Sequence, residues 1–330
     1  MQIKKALVIG VRSLAVCLLL TVCMTAGLFL SGLNRVAPQG QPAQQISAQT
    51  PSQSAPAGKV STQAPPEAQP APGAVLLPLL TVSLCVGIMV SYLILRSSWR
   101  GWTLVLAMFA GVYGISTVVN QLDSMFFLSR ILPRGMIPAI FLQGAITAAL
   151  FVPLAVWVLG KWRGAMPAVA PSTPARMGAA SAAWRIALLV IAFVFLYMFF
   201  GYYVAWQNPE LRKFYSGHDW PSFFASLKGN WQDRPWLYAL ATFRALLYVA
   251  FVYPLIRMLH AGRWESAIAT ALFLASWTTM LLLPNSVMPA SVARSHFWET
   301  FGFSLVFGAL LGWLLSAPPS AAMQGAPAAT

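Results

Sequence analysis

The chain has 330 residues, 58% of them hydrophobic and only 8% charged, where an ordinary soluble domain carries roughly 25% charged residues. That composition excludes a soluble globular protein. Lys and Arg outnumber Asp and Glu by 21 to 7, a net charge of +14, yet the basic residues punctuate apolar runs too long for a soluble core, so they are assigned to a membrane and not to nucleic acid.

A helix crosses a hydrocarbon layer of ~30 Å with about 20 apolar residues, and eight stretches meet that length. The first, Ala6–Leu33, follows Lys4 and Lys5 and contains Arg12. Its apolar core, Ser13–Leu33, exceeds the roughly 7–15 residues of a secretory signal core, and no clean A-x-A site follows it. Residues 1–33 therefore read as an uncleaved signal-anchor helix, and cleavage would leave seven spans with the same topology. The next segment, 34–73, holds eight Pro, eight Gln and eight Ala. Such a segment cannot bury a core and reads as a disordered periplasmic linker, either a spacer towards cell wall or a partner or a neutral insertion.

Seven further spans make a bundle over 74–316: Ala74–Leu95, Trp102–Val119, Ile137–Leu159, Trp184–Ala205, Trp236–Leu259, Ser266–Leu283 and Phe297–Leu315. Helix is the conformation that satisfies their backbone in lipid, because they lack the alternation of barrel strands. Pro153 and Pro254 fall inside spans four and six as kinks. The outer loop 207–235 opens with Asn208-Pro209-Glu210, which predicts a short helix to Tyr215. A second start falls at Asp219, with Pro221 in its first turn, Gly229 as its stop, and Phe223, Phe224 and Leu227 as one apolar face in the interface plane. The Ala/Pro stretch 165–183 and the tail 317–330 read as disordered and cytoplasmic.

The predicted fold is thus an all-α polytopic integral membrane bundle of about eight transmembrane helices. Placing the N-terminus in the cytoplasm puts eleven Lys/Arg inside and nine outside, a narrow margin on the positive-inside rule. The compact Arg96/Arg100 and Arg257/Arg263 turns point the same way, as do the acids, of which only Glu265 falls inside. Both termini are therefore expected in the cytoplasm and the protein in the inner (plasma) membrane, with tryptophans forming interfacial belts.

Polar residues within spans are the local signal of function, because a charge at mid-membrane costs about 2.5–3.5 kcal/mol even on insertion scales. Arg244 lies eight residues into span six, about 12 Å deep, and needs an anion; Glu299 and Asp123 are the candidate partners. In span eight His296, Thr300, Ser304, Gly308 and Gly312 recur every four residues, with Glu299 three residues after the histidine. Span three carries a stripe of Tyr113, Ser116, Thr117, Asn120 and Ser124 at one-face spacing. Gln143 and Thr147 share a face of span four, Ser276 and Thr279 sit near the end of span seven, and Asn285 lies beyond it. All fall in outer halves, which predicts a polar crevice open to the outside and closed below. Its expected ligand-binding residues are Arg244, Glu299, His296, Asn120, Asp123, Gln143, Tyr248 and Thr300. Each also has a purely structural reading, as a hydroxyl bonded to its own helix, an amide joining two helices or an ion pair that fixes packing.

Three functions remain open. The crevice binds or transports a small anionic or amphipathic solute, with Arg244 meeting its negative group. Alternatively, a membrane-embedded transferase or hydrolase acts on a lipid-linked substrate at the outer leaflet, with His296 as general acid or base and Glu299 or Asp123 orienting it. The third is a non-catalytic assembly or sensory subunit that meets a membrane protein partner. No GxSxG and no nucleotide loop is present. Cys17, Cys23 and Cys85 sit in apolar runs without CxxC spacing, and His218, His260 and His296 are scattered, so neither metal nor other cofactor is expected. Phe109–Tyr113 and Phe199–Tyr203 share F-x-G-x-Y, three positions that carry no argument for a repeat.

Overall fold

The computed structural model describes residues 2–36, 72–128, 132–163, 178–215, 221–259, 261–284 and 288–316. Most of the linker, the C-terminal tail, His218, Asp219, His260 and Asn285 lie outside the described residues. Eight helices are long and apolar enough to cross a membrane. They are α1 (Gln2–Leu30), α2 (Pro72–Arg96), α3 (Gly101–Phe127), α4 (Met136–Val158), α5 (Ala179–Ala205), α6 (Trp236–Met258), α7 (Arg263–Leu282) and α8 (Ala290–Leu315). Among the described residues there is no strand, only an isolated bridge between Ser97 and Leu259. The chain is a multi-pass, all-α membrane protein whose backbone is satisfied within its helices, as lipid requires.

Sequential helices pair as hairpins, and the hairpins close into a ring. Helix α1 packs on α2 and α4, α3 on α4 and α6, α5 on α6 and α8, and α7 on α8 and α2. Helix α1 is a full wall of that ring: Val16 and Leu20 are fully buried, Thr21 Oγ1 donates to Ser83 Oγ of α2 at 2.8 Å, and Thr147 Oγ1 of α4 donates to the Cys23 carbonyl at 3.4 Å. The closest pairing is α7 with α8, and the small-residue ridge read from the sequence causes it. A Cβ on Gly308 would lie 2.7 Å from Ala271 Cα, and one on Gly312 would fall on the Ser266 carbonyl oxygen. Only glycine lets these backbones approach so closely.

The end at which α1 begins and α8 ends is laced by backbone and charge contacts. Ser98 N–H donates to Met258 O at 2.8 Å, and Lys161 Nζ to Ser97 O at 2.8 Å. Burial, with Arg100 nearby, holds the Lys161 ammonium below its ordinary pKa. Arg96 grips Glu265 with Nε–Oε1 at 2.6 Å and Nη2–Oε2 at 2.8 Å, joining α2 to α7. At mid-depth Phe193, Phe273 and Phe307 are fully buried and fill the centre.

Several boundaries differ from the sequence expectation, among them the start of α5 at Ala179, inside the stretch 165–183 that reads as disordered. Span three runs on to Phe127 and span eight begins at Ala290; of the polar residues past the apolar runs, Asn120, Gln121, Asp123, Ser124 and His296 line a cavity, and Ser291 and Ser295 hold the loop helix. Pro72 and Gly73 begin α2, with proline suited to a first turn, and Asn34–Val36 belong to a short helical turn, Leu33–Val36. In the outer loop the first helix, Pro209–Tyr215, is as expected, with the Asn208 side chain accepting the Glu210 N–H at 2.9 Å. The second runs Phe223–Asp233, so Gly229 does not stop it. Its packed face holds Phe223 and Ser226, whereas Phe224 turns outward and is 79% exposed.

Candidate functional site: a charged crevice among five helices

Helices α3, α5, α6, α7 and α8, with the loop residue Tyr215, surround a cavity of about 410 Å³ at the end remote from the start of α1 and the end of α8. Its position follows from the helix ends: it lies between the C-terminal halves of α3, α5 and α7 and the N-terminal halves of α6 and α8. Tyr248, Phe303 and Ser304 are among its lining residues. Below them Phe193 and Phe307 pack against Tyr248, with ring centroids 5.5 and 5.6 Å away.

Arg244 is buried, only 6% exposed, two turns inside α6. Its Nη1 lies 2.8 Å from Asp123 Oδ1 and 2.7 Å from Oδ2. The guanidinium also sits over the rings of Tyr197 and Phe193, 5.3 and 5.8 Å from their centroids, an arrangement that stabilises a desolvated cation. Of the two anions expected from the sequence, Asp123 takes the pairing and Glu299 does not. Glu299 is held by its own helix neighbour, with Oε2 2.7 Å from His296 Nδ1.

The second ring nitrogen of His296 meets Tyr215 Oη at 3.2 Å. Tyr215 reaches it because the Pro209–Tyr215 helix is fastened to α8: Asn208 Nδ2 donates to Ser295 Oγ at 2.9 Å, Ser291 Oγ donates to Glu210, and Leu211 and Val292 bury each other completely. Burial, with Glu299 and Asp123 nearby, pushes the Tyr215 phenol above the ordinary tyrosine range, so it stays protonated. Its O–H is then available to Nε2, which leaves the Nδ1 proton for Glu299. A histidine held between a carboxylate and a phenol at a cavity wall has the geometry of a proton-transfer group.

The α3 wall depends on a π-helical turn over Gly114–Val119. A four-residue step overshoots one turn by about 40° in an α-helix and falls short of one in the wider π-turn. Ser116, Asn120 and Ser124 thereby line the cavity together with Asp123. Thr117 leaves the predicted stripe and packs on Gly144 of α4, and Tyr113 does not reach the cavity. Helix α5 also ends in a π-turn, Gly201–Ala205, beside Phe200 and Trp206 of the lining.

Other expected residues separate. Asn120, Tyr248 and Thr300 line the cavity, although Thr300 Oγ1 donates to His296 O of its own helix at 2.7 Å. Gln143 does not line it: the Gln143–Thr147 face of α4 is turned to α1, where Gly27 lies against the Gln143 carbonyl and Thr147. Ser276 and Thr279 hydrogen-bond carbonyls of their own helix and are also outside the lining, which takes Trp277 and Thr278 from that turn instead. The sequence reading expected aromatics of the outer loop to shape the pocket without singling out Tyr215, and it did not name Tyr197, Gln121, Trp206 or Trp277 as site residues. Only the predicted end of the loop helix at Tyr215 gave any signal for these, and it did not reveal where the loop folds back. Among the described residues no three His, Cys, Asp or Glu side chains converge as metal ligands.

These features define a multi-pass membrane protein with a charged crevice in one half of its bundle. No protein family, curated protein or solved structure matches the chain. Its chemistry rests on its own residues.

Proposed function

We propose that the protein binds or transports a small amphipathic solute in the crevice, from the periplasmic side of the inner (plasma) membrane. The observation that carries this reading is the cavity of about 410 Å³ with two fixed ion pairs set among aromatic and aliphatic walls. Such a site combines an apolar body with a few placed polar groups, the usual make-up of a small-molecule pocket. Of the two solute classes expected from the sequence, the amphipathic one is favoured over a simple anion, because Asp123 already meets the charge of Arg244. The test uses 1-octanol as probe, with the protein in nanodiscs of deuterated lipid and saturation-transfer NMR as readout. Ser116→Trp fills the crevice without touching either ion pair and is expected to abolish the transfer seen with the wild type. Equal transfer to octanol in both proteins would sink the reading.

A second reading is favoured by one observation, the carboxylate–imidazole–phenol array of Glu299, His296 and Tyr215. There the crevice is the active site of a transferase or hydrolase for a lipid-linked substrate, with His296 as acid or base, Glu299 orienting it and Tyr215 completing its hydrogen bonds.

A further inference from the structure

We infer that the polar part of the ligand is an uncharged polyhydroxylated group, a sugar or similar polyol carried on an apolar tail; this rests on the crevice being a binding site for an amphipathic molecule. The first reason is charge. The ionisable side chains of the lining, phenols apart, are Arg244, Asp123, His296 and Glu299, and they are spent on each other as two pairs at 2.7 Å. A phosphate or carboxylate entering the cavity would meet an arginine whose charge Asp123 already balances, and a cationic head group would meet carboxylates already balanced by the guanidinium and the imidazole. A neutral group disturbs neither pair.

The second reason is that hydrogen-bonding capacity of both kinds is left over on the same walls. Trp277 and Arg244 both line the cavity, and their Nε1 and Nε donors are buried in its wall without an acceptor. Asp123 keeps a side chain 36% exposed beside its arginine, and Glu299 holds His296 through Oε2, leaving Oε1 for another donor. Asn120 uses its amide nitrogen on Ser116 O at 3.3 Å, leaving its oxygen as an acceptor, and Gln121 stands next to it in the lining. Unpaired donors and unpaired acceptors around one space match a group whose every polar atom both donates and accepts, and hydroxyls do that where carboxylates and ammonium groups do not.

The third reason is the aromatic surface. Trp206 and Tyr215 lie together on one side of the lining, ring centroids 5.9 Å apart, and Trp277 comes from α7. The negative faces of such rings attract the weakly positive C–H bonds of a sugar ring, while its hydroxyls point to the edges. The same rings leave room for an alkyl tail.

The test is a matched series with one tail and four heads: octyl β-glucoside, octyl phosphate, octyltrimethylammonium and 1-octanol, each titrated below micelle formation into the nanodisc protein and followed by saturation-transfer NMR. The expected order places the glucoside about tenfold tighter than the other three, a difference of about 1.4 kcal/mol. Trp277→Phe, which removes one donor and keeps the ring, is expected to weaken the glucoside several-fold more than octanol. Tighter binding of the phosphate or the ammonium compound, or equal binding of all four, overturns the polyol assignment while the amphipathic site stands. Failure of all four to bind overturns both.

Discussion

Removing Asp123 strands a guanidinium that is 6% exposed, whereas removing Arg244 strands a carboxylate whose side chain is 36% exposed. The two losses are therefore unequal, because the carboxylate can recover water through the crevice and the guanidinium cannot. Breaking a buried pair from one side costs about 3–5 kcal/mol. Asp123→Asn is expected near that figure, Arg244→Met below it, and the double variant less destabilised than Asp123→Asn alone. Unfolding midpoints in detergent decide this. A neutral Asp123→Asn, or losses that simply add, would show that Arg244 has another anion. At this scale the sequence could name the arginine and its two candidate acids from cost alone. Choosing between them required the positions of α3 and α8, which depend on contacts 121 residues apart in one case and on a local i,i+3 bond in the other.

The π-turn of α3, Gly114–Val119, lies just before Asp123. Six π-helical residues turn the chain by about 490° and five α-helical ones by about 500°, so deleting Val118 would return the turn to α-helical spacing and leave the bearing of Asp123 unchanged. The deletion should then keep the Arg244–Asp123 pair, and Asp123→Asn should cost as much in the deletion background as in the wild type, read as unfolding midpoints in detergent. A deletion that by itself loses what Asp123→Asn loses, with nothing further lost in the combined variant, would show that the pair depends on the π-turn itself. The same helix shows where sequence reasoning stops. Length and hydropathy found eight spans because lipid demands about 20 apolar residues from each. They ended span three at Val119 and began span eight at Phe297, because Asn120, Asp123 and His296 look like the start of water. Those residues continue the helices with their polar groups turned to an internal cavity. A hydropathy profile cannot distinguish that surface from bulk solvent. A π-turn has no compositional mark at all, so the exit of Thr117 from the stripe was illegible.

For the whole molecule the open question is which way the ring faces. Lys4, Arg12, Arg96, Arg100, Lys161, Arg163, Arg185, Arg257 and Arg263 mark the end at which α1 begins and α8 ends, and Arg35, Arg134, Arg212, Lys213, Lys228, Arg234 and Arg294 mark the crevice end. The raw difference is small, but the crevice end also holds acids: Glu210 and Asp233 on the loop helices, with Asp123 and Glu299 in the cavity. The terminal end has Glu265 alone among the described residues, and Arg96 neutralises it. The short turns Ser97–Arg100 and Ala261–Gly262 are too brief to cross as independent domains, so their flanking arginines carry full weight in the positive-inside rule. The crevice is therefore expected to open to the periplasm. With Cys17, Cys23 and Cys85 replaced by alanine, a membrane-impermeant maleimide applied to intact cells should label Gly229→Cys in the loop and not Gly262→Cys in the α6–α7 turn, and inverted vesicles should give the reverse. Labelling of Gly262→Cys in intact cells would turn the molecule over, and the solute would then have to reach the crevice from the cytoplasm.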